Sequence, residues 1–161
     1  MRKSSLSPWT ILILAFLSAI ILLLAPQFVQ KDASKADFSS VREAVLAETD
    51  AGTMQEGDAR MLRRFYGITA SDYADICFFY PADNMRAEEL LLVKLEDPSQ
   101  KEDLLAAMQA RVDTQKNNFD GYGAEQCALL DACVLESRGG YALLCVGAWA
   151  EDVRRAFADA L

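Results

Sequence analysis

Residues Ala132–Gly147 read ACVLESRGGYALLCVG, two runs of aliphatic and β-branched side chains around a central Gly139-Gly140. Two glycines between such runs have the spacing of a two-residue β-hairpin, whose tight turn needs positive φ at both central positions. In the register that this turn sets, Cys133, Leu135, Ala142, Leu144 and Val146 share one face. Val134, Glu136, Arg138, Tyr141, Leu143 and Cys145 share the other. The first set is apolar enough for a core. The second is mixed, so one face of the sheet is expected to look partly at water.

Outward from the hairpin, the chain repeats the same grammar. Tyr73–Tyr80, YADICFFY, is dense in aromatic and β-branched residues and ends at Pro81, which reads as a strand. The turn-rich PADNMRAE leads to a second strand at Glu89–Leu95, ELLLVKL. Asp97-Pro98-Ser99-Gln100 then carries a helix start: Asp at the N-cap, Pro at the first helical position and Gln reaching back. That helix runs to about Asn117, with Leu104, Leu105, Met108 and Val112 on one face. A short helical turn spans Ala124–Leu130, and Trp149–Leu161 closes the domain with apolar residues at helical spacing.

Two short helices precede the first strand. One covers Phe38–Glu48, with Ser39 or Ser40 as cap, and the other covers Ala59–Tyr66, capped by Asp58 and stopped by Gly67. Thr49–Gly57 between them reads as a loop. The expected class is α+β: a β-β-α-β-β-α two-layer domain, with a four-stranded antiparallel sheet and helices packed on one face.

The N-terminus is different in kind. Trp9–Ala25, WTILILAFLSAIILLLA, carries no charge, and 17 residues rising about 1.5 Å each give roughly 25 Å, slightly short of a hydrocarbon core. The apolar character extends to Val29. The expected organisation is a basic n-region at 1–8, a transmembrane signal-anchor at 9–29, a polar tether at 30–37 and an α+β domain at 38–161. A cleaved signal peptide is the competing reading, since Arg2 and Lys3 precede the apolar run, but small residues suited to cleavage do not follow it closely. The basic residues before the span favour a cytoplasmic N-terminus and an extracytoplasmic domain.

Charge and composition exclude several functions. The chain has net charge −8, and its first 31 residues hold three basic and no acidic side chains. The remainder carries 13 basic against 24 acidic, a net of −11, which argues against a nucleic-acid partner. There is no histidine, and so neither the commonest general base nor the commonest metal ligand. The four cysteines at 77, 127, 133 and 145 form no C-x-x-C pair, and no zinc, redox or other cofactor motif accompanies them.

At Met61–Ile68 (MLRRFYGI), Asp72-Tyr73, Glu88–Lys94 (EELLLVK) and Phe119–Gly123 (FDGYG) the chain resembles a family of unknown function. That family occurs in membrane-anchored or lipoprotein-like extracytoplasmic proteins of spore-forming anaerobic bacteria. The resemblance covers about Val41–Leu161 and implies an anchored extracytoplasmic domain, without catalytic residues to carry over. Many members have a lipobox cysteine, which this chain lacks.

Candidate sites are few. Phe78, Tyr80 and Tyr141 are residues of a kind that line ligand grooves, although aromatics in strands more often pack a core. Cys127 and Cys133 form a candidate thiol pair for a redox or metal-binding alternative. Cys133 and Cys145 fall on opposite sheet faces and are not expected to bond. Glu88-Glu89 and Asp72/Asp75 read as solvated surface acids rather than a catalytic dyad or calcium site. Arg60, Arg63 and Arg64 read as a solvated, dipole-complementing helix end. The expectation is a non-enzymatic binding module with the membrane and an envelope protein as partners. A small-molecule binder would instead need an apolar cavity between sheet and helices.

Overall fold

The computed structural model describes Trp9 and residues 34–161. The expected anchor at 9–29 lies, Trp9 aside, outside the described residues. Among the described residues no helix is long and apolar enough to cross a membrane.

Helix α1, Phe38–Ala47, is capped by Asp37, whose carboxylate accepts from the Ser39 N–H at 3.2 Å. The expected serine caps are replaced because Asp37 is the last residue with extended backbone, while Ser39 already lies in the first helical turn. The expected loop at 49–57 holds a 3-10 turn at Ala51–Thr53 and a three-residue strand β1, Met54–Glu56. Met-Gln-Glu has no alternation long enough to announce a strand; it forms because β2 offers a free edge. Helix α2, Ala59–Tyr66, starts at Asp58, which accepts from the Met61 N–H at 2.8 Å. It stops at Gly67 in the left-handed conformation at φ 71°.

Strands β2 (Asp75–Pro81) and β3 (Glu89–Lys94) pair antiparallel, and Asp97 and Gln100 form the expected capping box ahead of α3, Lys101–Phe119. Helix α4 (Ala124–Asp131) leads into β4 (Val134–Arg138) and β5 (Tyr141–Val146). Gly139 and Gly140 make the hairpin turn at φ 61° and 83°, and pairing of Leu135 with Leu144 and Arg138 with Tyr141 is the register expected from them. Helix α5 spans Ala150–Ala160.

The fold is α+β with five strands rather than four, in the order β1-β2-β3-β5-β4 and antiparallel throughout. Helices cover both faces, not one. Leu91, Val93, Ala142 and Leu144 face Leu62 and Tyr66 of α2, Leu104, Met108 and Val112 of α3, and Leu130 of α4. Leu90, Leu92, Tyr141, Leu143 and Cys145 face Val41 and Val45 of α1 and Val153 and Phe157 of α5.

The face expected to be partly wet is therefore dry at its centre and meets water only along the edge strand, where Arg138 is exposed and Val134 and Glu136 are half-buried. Its polar members are dealt with individually: Tyr141 donates to the Ala36 carbonyl at 2.8 Å, and Glu136 and Arg138 sit on the edge strand. The near-continuous runs LLLV and YALLCV are the pattern of strands buried on both sides.

Candidate functional site

The unusual chemistry gathers at the end of the sheet where β2 turns into β3. Glu89, the first residue of β3, has 2% of its surface exposed. It shares a face with Leu91 and Val93, so the central strand delivers a carboxylate into the apolar layer beneath α2 and α3. A bare buried carboxylate is costly, and three donors compensate this one. Arg111 of α3 is bidentate, with Nε 3.1 Å from both oxygens and Nη2 2.7 Å from Oε2. Tyr66 of α2 donates its hydroxyl to Oε1. Burial first, and the Glu89 charge second, push the Tyr66 phenol well above its ordinary range, so it stays a donor.

Phe65, one residue before Tyr66, lays its ring against the guanidinium of Arg111, 4.1 Å from ring centre to Cζ. It also meets Phe78 and Tyr80 edge-on at 6.1 and 5.5 Å. The ion triad and the aromatic cluster fix the positions of α2 and α3 relative to the sheet.

Above this base lies an open groove of about 530 Å³. Its walls come from α2 (Met61, Arg64, Phe65), α3 (Arg111, Gln115, Asn118) and the β2–β3 loop (Asp83, Asn84, Arg86). The loop is held in shape by its own bonds: Asp83 accepts from the Met85 N–H at 2.8 Å, Arg86 pairs with Glu88 at 2.7 Å, and the Ala87 N–H donates to Gln126 at 2.9 Å. Tyr122, 63% exposed, stands at its rim, and with Met85, 66% exposed, it also lines a smaller hollow of about 180 Å³.

The candidate residues named from sequence separate in space. Tyr80 lines the groove, Phe78 is buried behind it under α2, and Tyr141 lies on the opposite sheet face. Cys127 on α4 and Cys133 at the head of β4 are both half-buried free thiols against the α3 layer. Burial pushes the Cys133 thiol up, against the lowering influence of Lys116. Cys145 packs on the other face, as its register requires, and burial raises its thiol strongly. Among the described residues there is no disulfide and no group of three or more Cys, Asp or Glu placed to hold a metal ion.

Sequence reasoning missed Glu89, Tyr66 and Arg111. Glu88-Glu89 was expected to be a solvated pair; instead Glu89 is buried and Glu88 half-buried. The signal was present: an acid in phase with Leu91 and Val93, on a strand too uniformly apolar to have a wet face, has to enter the core.

This fold and site define an α+β domain with helices on both faces of its sheet and a polar groove at one end of the sheet. The chain belongs to the family described as Domain of unknown function (DUF4358), which matches residues 47–147. That span contains every element forming the groove. No curated protein and no solved structure matches the chain.

Proposed function

We propose that this protein is a non-enzymatic recognition module, held at the membrane by residues 9–29 with its domain outside the cytoplasm, that seats a polypeptide partner in the groove. The observation that carries this reading is the exposed Tyr122, which borders the groove beside Tyr80, Arg64 and Arg86 and, with the exposed Met85, lines a smaller hollow next to it. Tyr, Met and Arg are the side chains enriched where proteins meet, and contiguous exposed apolar surface on a soluble domain marks a contact site. The groove is open and amide-lined, which suits a chain lying across it better than an enclosed small molecule. Its polar groups are arginines, carboxamides and phenols, chemistry that holds a ligand by hydrogen bonds.

A photoreactive phenylalanine placed at position 122 of the full chain tests this in intact cells. It is expected to capture one polypeptide of reproducible mass, while the same probe at position 159 on α5 captures none. External protease should digest the domain without lysis. Equal capture from both positions, protection of the domain until lysis, or turnover of a substrate by the purified protein would sink the reading.

A further inference from the structure

We infer that the groove selects a peptide segment bearing a single carboxylate, received by Arg64 and by the free edge of Arg111. The inference rests on the groove being a polypeptide seat and adds the chemistry of the occupant. Its first support is a contrast of charge. The chain carries −8 overall, yet the groove is lined by three arginines and one acid, Asp83. In so acidic a protein, a place where arginines offset the acids is where an acidic ligand meets least repulsion.

The second support is which arginines are already engaged. Arg86 is paired with Glu88 and Arg111 with Glu89. Arg64, exposed on the last turn of α2, has no ion-pair partner among the described residues. With Asp83 also in the lining the site carries no net excess of positive charge, and Arg64 is its one arginine without a carboxylate partner among the described residues. A polyanion such as a phosphate polymer needs a row of free cations, whereas a lone carboxylate needs one.

The third support is the way Arg111 is held. Glu89 takes its Nε and Nη2, the Phe65 ring covers one face of the guanidinium, and its side chain is 10% exposed. No hydrogen bond engages its Nη1 among the described residues, and Arg111 is part of the groove lining. The guanidinium is thus fixed in place before any ligand arrives, and pre-ordering reduces the entropic cost of binding. Tyr66 and Glu89 act here as positioning residues through Arg111. Around these two residues, Asn84 and Gln115 supply carboxamides for peptide groups, and Tyr122 and Tyr80 supply aromatic anchors.

The test uses full-length protein in detergent micelles and three blocked heptapeptides, identical except for a central Glu, Gln or Lys between tyrosines. Binding is read from backbone amide NMR shifts of groove residues, with tripolyphosphate as a fourth probe. The Glu peptide is expected to bind about fivefold more tightly than the Gln peptide, and the Lys peptide more weakly than both. Arg64→Gln should bring the Glu and Gln peptides to equal affinity while leaving the Gln peptide unchanged; Arg138→Gln should alter neither. Groove shifts of equal strength with Glu and Gln peptides in the unaltered protein would overturn the carboxylate preference and leave the peptide seat standing. Tighter binding of tripolyphosphate than of the Glu peptide would overturn it in favour of a phosphate ligand. Absence of groove shifts with all three peptides overturns both readings.

Discussion

The layer under α1 and α5 and the layer under α2, α3 and α4 are built on alternate residues of the same strands, yet they solve burial differently. The first encloses Leu90, Leu92, Leu143, Val153 and Phe157, and its one large polar group, the Tyr141 hydroxyl, reaches out to a backbone carbonyl at the periphery. The second encloses a comparable set of aliphatic side chains and then adds a carboxylate, a guanidinium and a phenol at the groove end. An apolar interior stabilises through area removed from water. A buried ion pair is weak evidence of stability, since desolvation offsets much of its attraction. What the second layer gains is a fixed direction for Arg111 and fixed positions for α2 and α3. One layer holds the domain together, and the other holds a site.

The sharpest way to break this contrast is to remove one member of the triad. Glu89→Gln leaves the Arg111 charge buried without compensation, and the expected loss in urea denaturation is about 3–5 kcal/mol. Replacing both as Glu89→Leu with Arg111→Met should recover at least half of that stability while abolishing peptide-induced shifts in the groove. If the double variant is no more stable than the single one, the triad is a net contributor to stability and the contrast between layers collapses. On the opposite layer, Phe157→Ala removes a fully buried ring and should also cost about 3–5 kcal/mol. There, no second polar substitution should rescue the loss, and groove binding should persist wherever the protein remains folded.

A smaller effect separates Tyr66 from its surroundings. Tyr66→Phe removes one donor to a buried carboxylate, a loss of about 2 kcal/mol near neutral pH. Its pH dependence has a definite sign. The folded phenol is held protonated by burial and by Glu89, above the ordinary value of about 10 that applies in the unfolded chain. Above pH 10 the unfolded chain binds fewer protons than the folded one, so stability falls as pH rises, by up to about 1.4 kcal/mol per unit. The stability present below pH 10 is lost on the way to the folded value. Chemical denaturation from pH 8 to 11 should show this fall in the unaltered protein and a shallower one in Tyr66→Phe. Parallel curves would mean that Tyr66 titrates freely.

The same contrast explains what could be read in the chain itself. The hairpin register, the capping box at Asp97 and the left-handed stop at Gly67 depend on neighbours in sequence, so local chemistry announces them. The second helical layer was obscured because the polar residues Tyr141, Glu136 and Arg138 suggested a wet face. Whether such residues are buried among partners or left at an edge is decided by strand order, which no local pattern carries. Strand β1 was hidden for a related reason: three residues become a strand only when β2 presents an open edge. Of the groove, Tyr80 was legible as an aromatic in a strand. The triad was not, because Tyr66, Glu89 and Arg111 lie on three separate elements, and only Glu89, in phase with Leu91 and Val93, carried a local signal of burial.

The mildest perturbation belongs to the layer under α1 and α5 and tests whether its Tyr141 contact is as peripheral as its geometry suggests. Tyr141 stacks on Phe38 with ring centres 6.3 Å apart and planes within 6°, and the Lys94 ammonium lies 5.6 Å from the Tyr141 ring centre. Tyr141→Phe keeps both ring contacts and deletes only the bond to the Ala36 carbonyl, so the expected cost is about 1 kcal/mol. That bond is one of several that tie the start of the domain down. The Ser34 N–H donates to Gly139 O at 2.7 Å, and the Ser34 hydroxyl to Leu161 O at 2.9 Å. Loss of the phenol should therefore show as faster proteolytic cleavage within residues 34–37, with the groove shifts unchanged. A change in groove binding after so distant a deletion would mean that the two layers are energetically coupled through the sheet and do not act as separate scaffold and site.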